Sequence, residues 1–245
     1  MNVNEYLKLA EVEDQMWYFH SLHGHVRREV EKAGLTRNPT WLDAGCGTGG
    51  LILRMRERWP AARFSGIDFM PLAVELAQKR CGPEVHLKQA SITHLPFGDA
   101  SFDVVTAVDV ISQVDDDAKG IAECFRVLRP GGVFVTNVPA YMWLWSYHDD
   151  SCQTKRRYNR TDVDNLLRSA GFQVRTLSHW NAIPFPLIWA RRKLMRQASD
   201  TSDVKAYPPL VQGAFTAMMA VEHSWLETGR SWAWGSSVFC AARKP

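Results

Sequence analysis

The residues best suited to binding chemistry stand in one short stretch, WLDAGCGTGG at positions 41–50, which contains four glycines. Glycine accepts backbone angles that other residues avoid, and it lets a ligand approach the main chain without a Cβ in the way. Two interpretations of the spacing stay open. Residues 45–49 form one kind of nucleotide-binding loop, whereas Gly45, Gly47 and Gly50 satisfy the G-x-G-x-x-G pattern of another kind.

An acidic residue lies at a distance that suits the same ligand. Asp68 follows Gly49 by 19 positions and ends a predicted strand at 63–68. A carboxylate about 20 residues beyond a glycine loop accepts ribose hydroxyls, and the free N–H groups of the helix that begins near Gly49 face the same crevice. The pairing predicts an adenosine-containing ligand, but it does not choose among the cofactors that contain adenosine.

Histidine side chains supply further candidates. His148 is the leading candidate for a general base because histidine titrates near neutral pH, and the alternative is a structural histidine bonded to a neighbouring aspartate. The run from His148 to Asp150 could also hold a divalent cation. His20 and His23 could share a helix face, but no third ligand is evident, and lid or solvated histidines are the favoured interpretation. We expect no metal site.

Basic and aromatic residues late in the chain are candidates for binding the second substrate. Arg156 and Arg157 could clamp an anionic group, although a solvated charge run explains them equally well. Tyr141, Trp145 and Tyr158 could contact an apolar or ring-containing substrate, or pack in the core. A second basic group interrupts an apolar stretch and suggests an insertion helix or an interface, with a membrane-surface helix as the weaker interpretation; it consists of Arg191, Arg192, Lys193 and Arg196.

The elements that must position these residues alternate regularly. Strands are predicted at 40–44, 63–68, 84–90, 102–110, 133–139, 172–178 and 236–244, and helices at 50–59, 70–81, 118–129 and 161–171. In the last helix, Thr161 is the predicted N-cap and Gly171 the C-terminal cap. Alternation of this kind predicts an α/β fold, a Rossmann-like, doubly wound sheet whose ligands lie at the carboxyl ends of the strands.

Four regions of one domain, residues 1–245, follow from this pattern. Residues 1–39 form an N-terminal helical cap, with a helix over 5–33 that breaks near Ser21 to Gly24. Residues 40–178 form the ligand-binding core. Residues 179–235 form a helical insertion that covers one end of the sheet, and residues 236–245 form the final strand.

Composition excludes several other classes. The net charge of +3 is too small for a nucleic-acid-binding face, and the 46% of apolar residues suffices for a sizeable core. The five cysteines show neither a disulfide framework nor zinc-ligand spacing. The polar N-terminal segment does not fit a signal peptide, and no apolar run reaches the length of a membrane span. We expect a cytoplasmic protein of unassigned oligomeric state that binds no nucleic acid.

A series of motifs outside the glycine loop carries a family resemblance. LDAGCGTG is followed by GIDFM, LPFGDASFDVV and VLRPGG, in order and at the expected intervals over roughly residues 40–140. This series closely resembles class I S-adenosylmethionine-dependent methyltransferases. The resemblance implies a seven-stranded sheet whose last strand runs antiparallel, and S-adenosylmethionine as the methyl donor.

The resemblance also implies positions for the cofactor. Asp43, the segment from Ala44 to Gly47, Val108 and Asp109 would lie near the methionine moiety, and Asp68 would hold the ribose hydroxyls. Phe69 and Met70 would pack beside the adenine, and Ser91 and Ile92 would meet its edge. Independently of the resemblance, Trp17, Tyr18 and Phe19 could close over the site as a lid that excludes water, or form the apolar face of an N-terminal helix on the core. Tyr18 is a second candidate catalytic residue. The implied cofactor-binding set is Trp17, Asp43, Ala44, Gly45, Cys46, Gly47, Gly49, Asp68, Phe69, Met70, Ala90, Ser91, Ile92, Val108, Asp109 and Gln113.

Some positions depart from the family pattern. Many members carry Asp where Ser91 stands, and His where Gln113 stands. Stretches around EDQMWYF and YMWLWSYHDDSCQTKRRY are similar to a bacterial subgroup of methyltransferase type 11/12, although Met16 and Thr154 replace expected histidines. Such members are often of unassigned substrate, so the subgroup does not name the acceptor.

The expected reaction is methyl transfer to a small-molecule or peptide acceptor, most readily on oxygen. The methyl group of a sulfonium is already activated, so the protein mainly supplies alignment, and a base is needed only for a protonated acceptor. Two alternatives stay open: an NAD-dependent oxidoreductase that uses Gly45, Gly47 and Gly50, and a non-catalytic subunit that binds S-adenosylmethionine.

Overall fold

A computed structural model describes residues 3–35, 38–194 and 202–245. Arg196, one of the basic residues noted above, lies outside the described residues. The helices are α1 Val3–Val12, α2 Trp17–Lys32, α3 Gly50–Arg58, α4 Pro71–Cys81, α5 Asp117–Val127, α6 Tyr147–Ser151, α7 Arg160–Ser169, α8 Phe185–Leu194 and α9 Pro209–Glu227. The strands are β1 Thr40–Ala44, β2 Arg63–Asp68, β3 His86–Gln89, β4 Phe102–Val108, β5 Leu128–Pro139, β6 Gln173–Trp180 and β7 Ser237–Arg243.

The strands form one seven-stranded sheet in the order β3-β2-β1-β4-β5-β7-β6. Trp41 of β1 pairs with Phe64 of β2 on one side and Val104 of β4 on the other, both in parallel register. β7 pairs antiparallel with β5 and β6. The doubly wound fold with an antiparallel last strand is therefore confirmed. The strand order reverses between β1 and β4, where a ligand crevice is expected in such sheets.

Alternating side chains of the strands build a core on each face of the sheet. Leu42 and Val105 point to the face that α5 and α7 cover, whereas Trp41 and Val104 point to the face covered by α2, α3 and α4. The period of two along a strand produces this division. Both faces are buried, which explains why apolar side chains stand on both faces of the central strands.

The N-terminal helices break earlier than expected. The chain turns between Val12 and Trp17, and α2 runs through Gly24 without interruption. Leu22, Val26 and Val30 are buried at helical spacing along α2, so packing of this face outweighs the weak helix propensity of a single glycine. The expected break near residues 21–24 was wrong.

Two further boundaries differ from expectation. α7 begins at Arg160, with Asn159 rather than Thr161 as N-cap, because Asn159 and Asp162 form a reciprocal capping box. Residues 147–151, which lie outside the predicted strands and helices, form the short helix α6, which Ser146 and Asp149 cap in the same way. In the part of the chain that the structure describes, every helix is too short or too polar to cross a bilayer.

Candidate cofactor and active site

The glycine loop connects β1 to α3 at the switch point of the sheet. Gly45, Gly47 and Gly49 all adopt positive φ angles, of 104°, 52° and 88°. A Cβ on Gly45 would stand 2.7 Å from the Cβ of Val110, and one on Gly49 would stand 2.6 Å from the sulfur of Cys81. Backbone conformation and close packing therefore both require glycine at these two positions.

The carboxylate of Asp68, at the end of β2, is the centre of the loop's hydrogen bonds. It accepts hydrogen bonds from the backbone N–H of Gly47 at 3.0 Å and from that of Met70 at 2.9 Å. The hydroxyl of Tyr6, on α1, donates to the same carboxylate at 3.0 Å. Burial raises the pKa of Asp68 above its usual value. Tyr6 was not predicted, since 62 residues separate it from Asp68.

Glu13 follows α1, and its carboxylate lies at the N-terminus of α3. Its carboxylate accepts hydrogen bonds from the backbone N–H of Gly50 and the hydroxyl of Thr48, and it pairs with Arg80 at 2.7 Å. A Cβ on Gly50 would overlap this carboxylate. A dinucleotide places its pyrophosphate at the corresponding helix N-terminus. Because a carboxylate already holds that position, the site disfavours a dinucleotide.

Most of the predicted cofactor residues line one large cavity above the carboxyl ends of the strands. The cavity has a volume of about 1370 Å³, more than the roughly 300–1,000 Å³ of a pocket for one small ligand. Its walls include Trp17, Asp43, Gly45, Cys46, Gly47, Asp68, Phe69, Met70, Ala90, Ser91, Ile92, Val108, Asp109 and Gln113. Ala44 and Gly49 are not part of the wall, and Gly49 instead shapes the start of α3.

Phe69 and Ser91 lie on the side of the cavity expected to hold adenine. Phe69 is 71% exposed, so its ring is available for a ligand to cover. The hydroxyl of Ser91 lies 2.8 Å from that of Thr93 and accepts a hydrogen bond from the Thr93 backbone N–H. Ser91 thus stabilises its own turn, and its hydroxyl retains little capacity for the adenine amino group.

Asp43 and Asp109 lie on the opposite side, at the ends of β1 and β4. Asp43 accepts a hydrogen bond from the Thr106 hydroxyl at 2.9 Å, and burial raises its pKa to about 7. Asp109 has a positive φ of 57°, an uncommon conformation that turns the chain immediately after β4. The side chain of Gln113 donates to the Asp109 backbone carbonyl and so holds this turn.

Tyr18 joins Asp109 in a buried network. The Tyr18 hydroxyl donates to the Asp109 carboxylate at 2.9 Å, and the Asn137 amide donates to both groups. The Asn137 carbonyl in turn accepts from the indole N–H of Trp180. Burial raises the pKa of Asp109 to about 6 and that of Tyr18 well above 10. Asn137 has no sequence motif that could have revealed it.

His148 lines the cavity, but its hydrogen bonding does not suit a base. Its Nδ1 accepts a hydrogen bond from the backbone N–H of Asp203 at 3.2 Å, which leaves the proton of the neutral ring on Nε2. Burial, and then the charge of Arg192, lower the pKa of His148 to about 4. Nδ1 is thus already occupied, and Nε2 lies 3.8 Å from the sulfur of Cys152. Among the described residues, no three His, Cys, Asp or Glu side chains form a metal-binding group.

The structure brings only one of the five predicted substrate residues to the cavity wall. That residue, Arg157, is buried in an ion pair with Asp149 at 2.7 Å, so it is not free to clamp a ligand. Arg156 and the Tyr158 hydroxyl both bind Asp117, outside the cavity. The remaining two lie elsewhere: the Tyr141 hydroxyl contacts His179, and the indole N–H of Trp145 donates to Asp150.

Comparison with known proteins agrees with the fold and the loop. The profile of the family described as a methyltransferase domain matches residues 42–136. The matched segment contains the glycine loop, Asp68 and β4. Residues 42–136 therefore match a methyltransferase domain, and the fold of the chain is that of class I S-adenosylmethionine-dependent methyltransferases, a class whose cofactor is S-adenosylmethionine. The dinucleotide alternative is therefore set aside.

Individual relatives match mainly in this core. A probable S-adenosylmethionine-dependent methyltransferase of Mycolicibacterium smegmatis is 36% identical over 138 residues, which is 54% of this chain and 51% of the relative. A ubiquinone/menaquinone biosynthesis C-methyltransferase of Desulfotalea psychrophila is 35% identical over 121 residues, 49% of this chain and 46% of the relative. The chain thus spans about half the length of the curated relatives it matches.

A solved structure extends the likeness in fold to most of the chain. Geranyl diphosphate methyltransferase in complex with S-adenosylmethionine superposes with a TM-score of 0.63 at 17% identity, covering 91% of this chain and 85% of that one. At this identity the likeness concerns the fold alone.

Proposed function

We propose that the protein transfers the methyl group of S-adenosylmethionine to a small-molecule acceptor with an apolar or ring-containing body. The cavity volume leaves room for a second ligand beside the cofactor. Aromatic side chains from outside the sheet also line the cavity: Trp17 stacks on Phe215 at 4.7 Å, and Tyr207 lies beside them. Large aromatic surfaces of this kind favour an apolar acceptor over a peptide.

The pair formed by Tyr18 and Asp109 is the observation that carries the proposed chemistry. The cofactor supplies an electrophilic methyl group, so the protein must align the acceptor and remove a proton where the acceptor is a hydroxyl. The Tyr18 oxygen can accept the acceptor's proton while its own proton passes to Asp109. A carboxylate with a pKa of about 6 is ionised at neutral pH and suited to this role.

We propose oxygen as the acceptor atom, and a ring carbon is the second candidate. The relative from Desulfotalea psychrophila is a C-methyltransferase of quinone biosynthesis, and a phenolic ring is activated at carbon by loss of the same hydroxyl proton. The two outcomes differ in the product: an O-methyl group and a C-methyl group have distinct carbon chemical shifts in an NMR spectrum.

Transfer of labelled methyl groups tests the proposed activity directly. The protein is incubated with S-adenosylmethionine labelled in the methyl group and a protein-free small-molecule extract. We expect label in an organic-soluble product, and none with heat-inactivated protein. Absence of transfer to any component would support the non-catalytic alternative instead. The expected location in the cytoplasm stays a prediction.

Tyr18→Phe tests the proposed base once an acceptor is known. For the natural chain we expect kcat/KM to rise with pH through about 6 and to level off above it, because Asp109 must be deprotonated to take the proton. Removing the Tyr18 hydroxyl should lower kcat by about 10²-fold or more while leaving S-adenosylhomocysteine affinity nearly unchanged.

Tyr141→Phe is the matched control, because it removes a hydroxyl that bonds His179 outside the cavity. If Tyr18→Phe and Tyr141→Phe retain the same kcat and the same pH profile, Tyr18 has no part in proton removal.

A further inference from the structure

Two adjacent arginines of α8 add positive charge to the lining of the cavity. Arg191 and Arg192 both line the cavity, and both pair with Asp203. His148 accepts a hydrogen bond from the backbone N–H of Asp203, and the Tyr207 hydroxyl accepts one from Arg191. We call Arg191, Arg192 and Asp203 the arginine cluster.

Arg192 has an unused hydrogen-bond donor inside this cluster. Its Nε and Nη2 both donate to one oxygen of Asp203, at 3.1 and 2.8 Å. Its Nη1 is buried and has no hydrogen-bond partner among the described residues, and only 8% of the side chain is exposed. A buried guanidinium N–H without a partner costs free energy, so this atom is poised for an acceptor oxygen.

The charges of the cluster do not balance. Two guanidinium groups face one carboxylate. His148, Arg192 and Arg191 together hold the pKa of Asp203 far below its usual value, so the carboxylate stays ionised. His148 does not add a charge at neutral pH, since its pKa is about 4. The neighbouring Arg157 is already neutralised by Asp149. Among the residues that the structure describes, one positive charge of the cluster is therefore left for a ligand.

We propose that the methyl acceptor carries an anionic group, a carboxylate or a phosphate, which the arginine cluster binds. This inference rests on the proposed function and specifies its substrate: an apolar body against Trp17 and Phe215, with an anionic end at Arg192. Arginine binds both oxyanions through paired N–H groups, and the buried setting strengthens each charge-assisted hydrogen bond.

Matched probes separate the anion from the apolar body. Isothermal titration of protein saturated with S-adenosylhomocysteine measures the affinity for 1-naphthyl phosphate, 1-naphthoate and uncharged 1-naphthol. We expect one or both anions to bind at least about tenfold more tightly than naphthol, the gain expected of a hydrogen bond to a charged group. The tighter of the two anions identifies phosphate or carboxylate as the group recognised.

Variants of neighbouring residues on α8 assign the preference to the cluster. Arg192→Gln should abolish the preference for anions, and Arg192→Lys should keep part of it. Lys193→Gln removes one positive charge from the next residue, whose side chain is exposed and contacts the Trp145 carbonyl, and should keep all of it. Unchanged S-adenosylhomocysteine affinity verifies that each variant is folded.

Two results would overturn the inference: naphthol binding the natural protein as tightly as both anions, or Arg192→Gln and Arg192→Lys both keeping the full preference. Should Arg192→Gln fail to fold, the lysine variant and the loss of anion affinity at high salt decide the outcome. Failure of the natural protein to bind S-adenosylhomocysteine would contradict the proposed function instead, and probe binding in its absence reports on the cluster alone.

Discussion

At the scale of single residues, the cofactor cavity is built from carboxylates that are already bonded to the protein. Asp68 accepts hydrogen bonds from Tyr6, Gly47 and Met70, and Asp43 accepts one from Thr106. These bonds fix the carboxylates before any ligand arrives. When a ribose binds at Asp68, the ribose hydroxyls must therefore share the carboxylate with the Tyr6 hydroxyl or displace it.

Ser91 gives a prediction at this scale. An aspartate at this position can form the same turn with the Thr93 N–H and still offer a charged oxygen to the adenine amino group. We expect Ser91→Asp to raise S-adenosylhomocysteine affinity by up to about tenfold, measured by titration calorimetry. Ser91→Ala is the control and should change the affinity little. Equal or weaker binding by the aspartate variant would place the adenine away from this side chain.

At the scale of elements, the N-terminal helices are tied to the glycine loop by buried polar contacts. Tyr6 of α1 bonds Asp68, and Glu13 caps α3 and pairs with Arg80 of α4. A cap of this kind satisfies backbone donors that a helix N-terminus otherwise leaves free. We therefore expect the N-terminal helices and the glycine loop to fold and unfold cooperatively.

Gly50→Ala tests this connection. The added methyl group overlaps the Glu13 carboxylate, and we expect a loss of about 1–3 kcal/mol in the free energy of unfolding, measured in urea. In a Glu13→Ala background the same change should cost much less. Gly213→Ala is the control: nothing lies within 4 Å of its Cβ position on exposed α9, so it should stabilise by about 0.5–1 kcal/mol.

If Gly50→Ala lowers the free energy of unfolding equally in both backgrounds, overlap with the Glu13 carboxylate is not the cause of the destabilisation.

Local patterns were sufficient to predict most elements between residues 40 and 178, because strand and helix periods differ and glycine or proline marks their ends. They were insufficient where tertiary packing decides. Gly24 continues α2 because a buried face surrounds it, and Asn159 replaces Thr161 as N-cap because it shares a capping box with Asp162. Neither outcome depends on the propensity of the single residue.

At the scale of the whole molecule, the sheet order brings distant segments to one cavity. The carboxyl ends of β1, β2 and β4 supply Asp43, Asp68 and Asp109. The distance from the glycine loop predicted Asp68, and the family resemblance implied the other two. The acceptor side was predicted less well. Arg157 resembles a ligand clamp in sequence, yet its buried partner Asp149 removes it from that role. The arginine cluster depends on the placement of α8 relative to Asp203, which no local pattern determines.

The affinity of Asp68→Asn for S-adenosylhomocysteine, measured by titration calorimetry, tests the central claim most directly. Asp14→Asn is the control, because Asp14 is exposed and pairs with Arg80 without lining the cavity. We predict that the natural chain and Asp14→Asn bind the ligand, that Asp68→Asn binds at least about tenfold more weakly, and that NADH does not compete. Undiminished binding by Asp68→Asn, or displacement by NADH, would contradict the assignment of this cavity to S-adenosylmethionine.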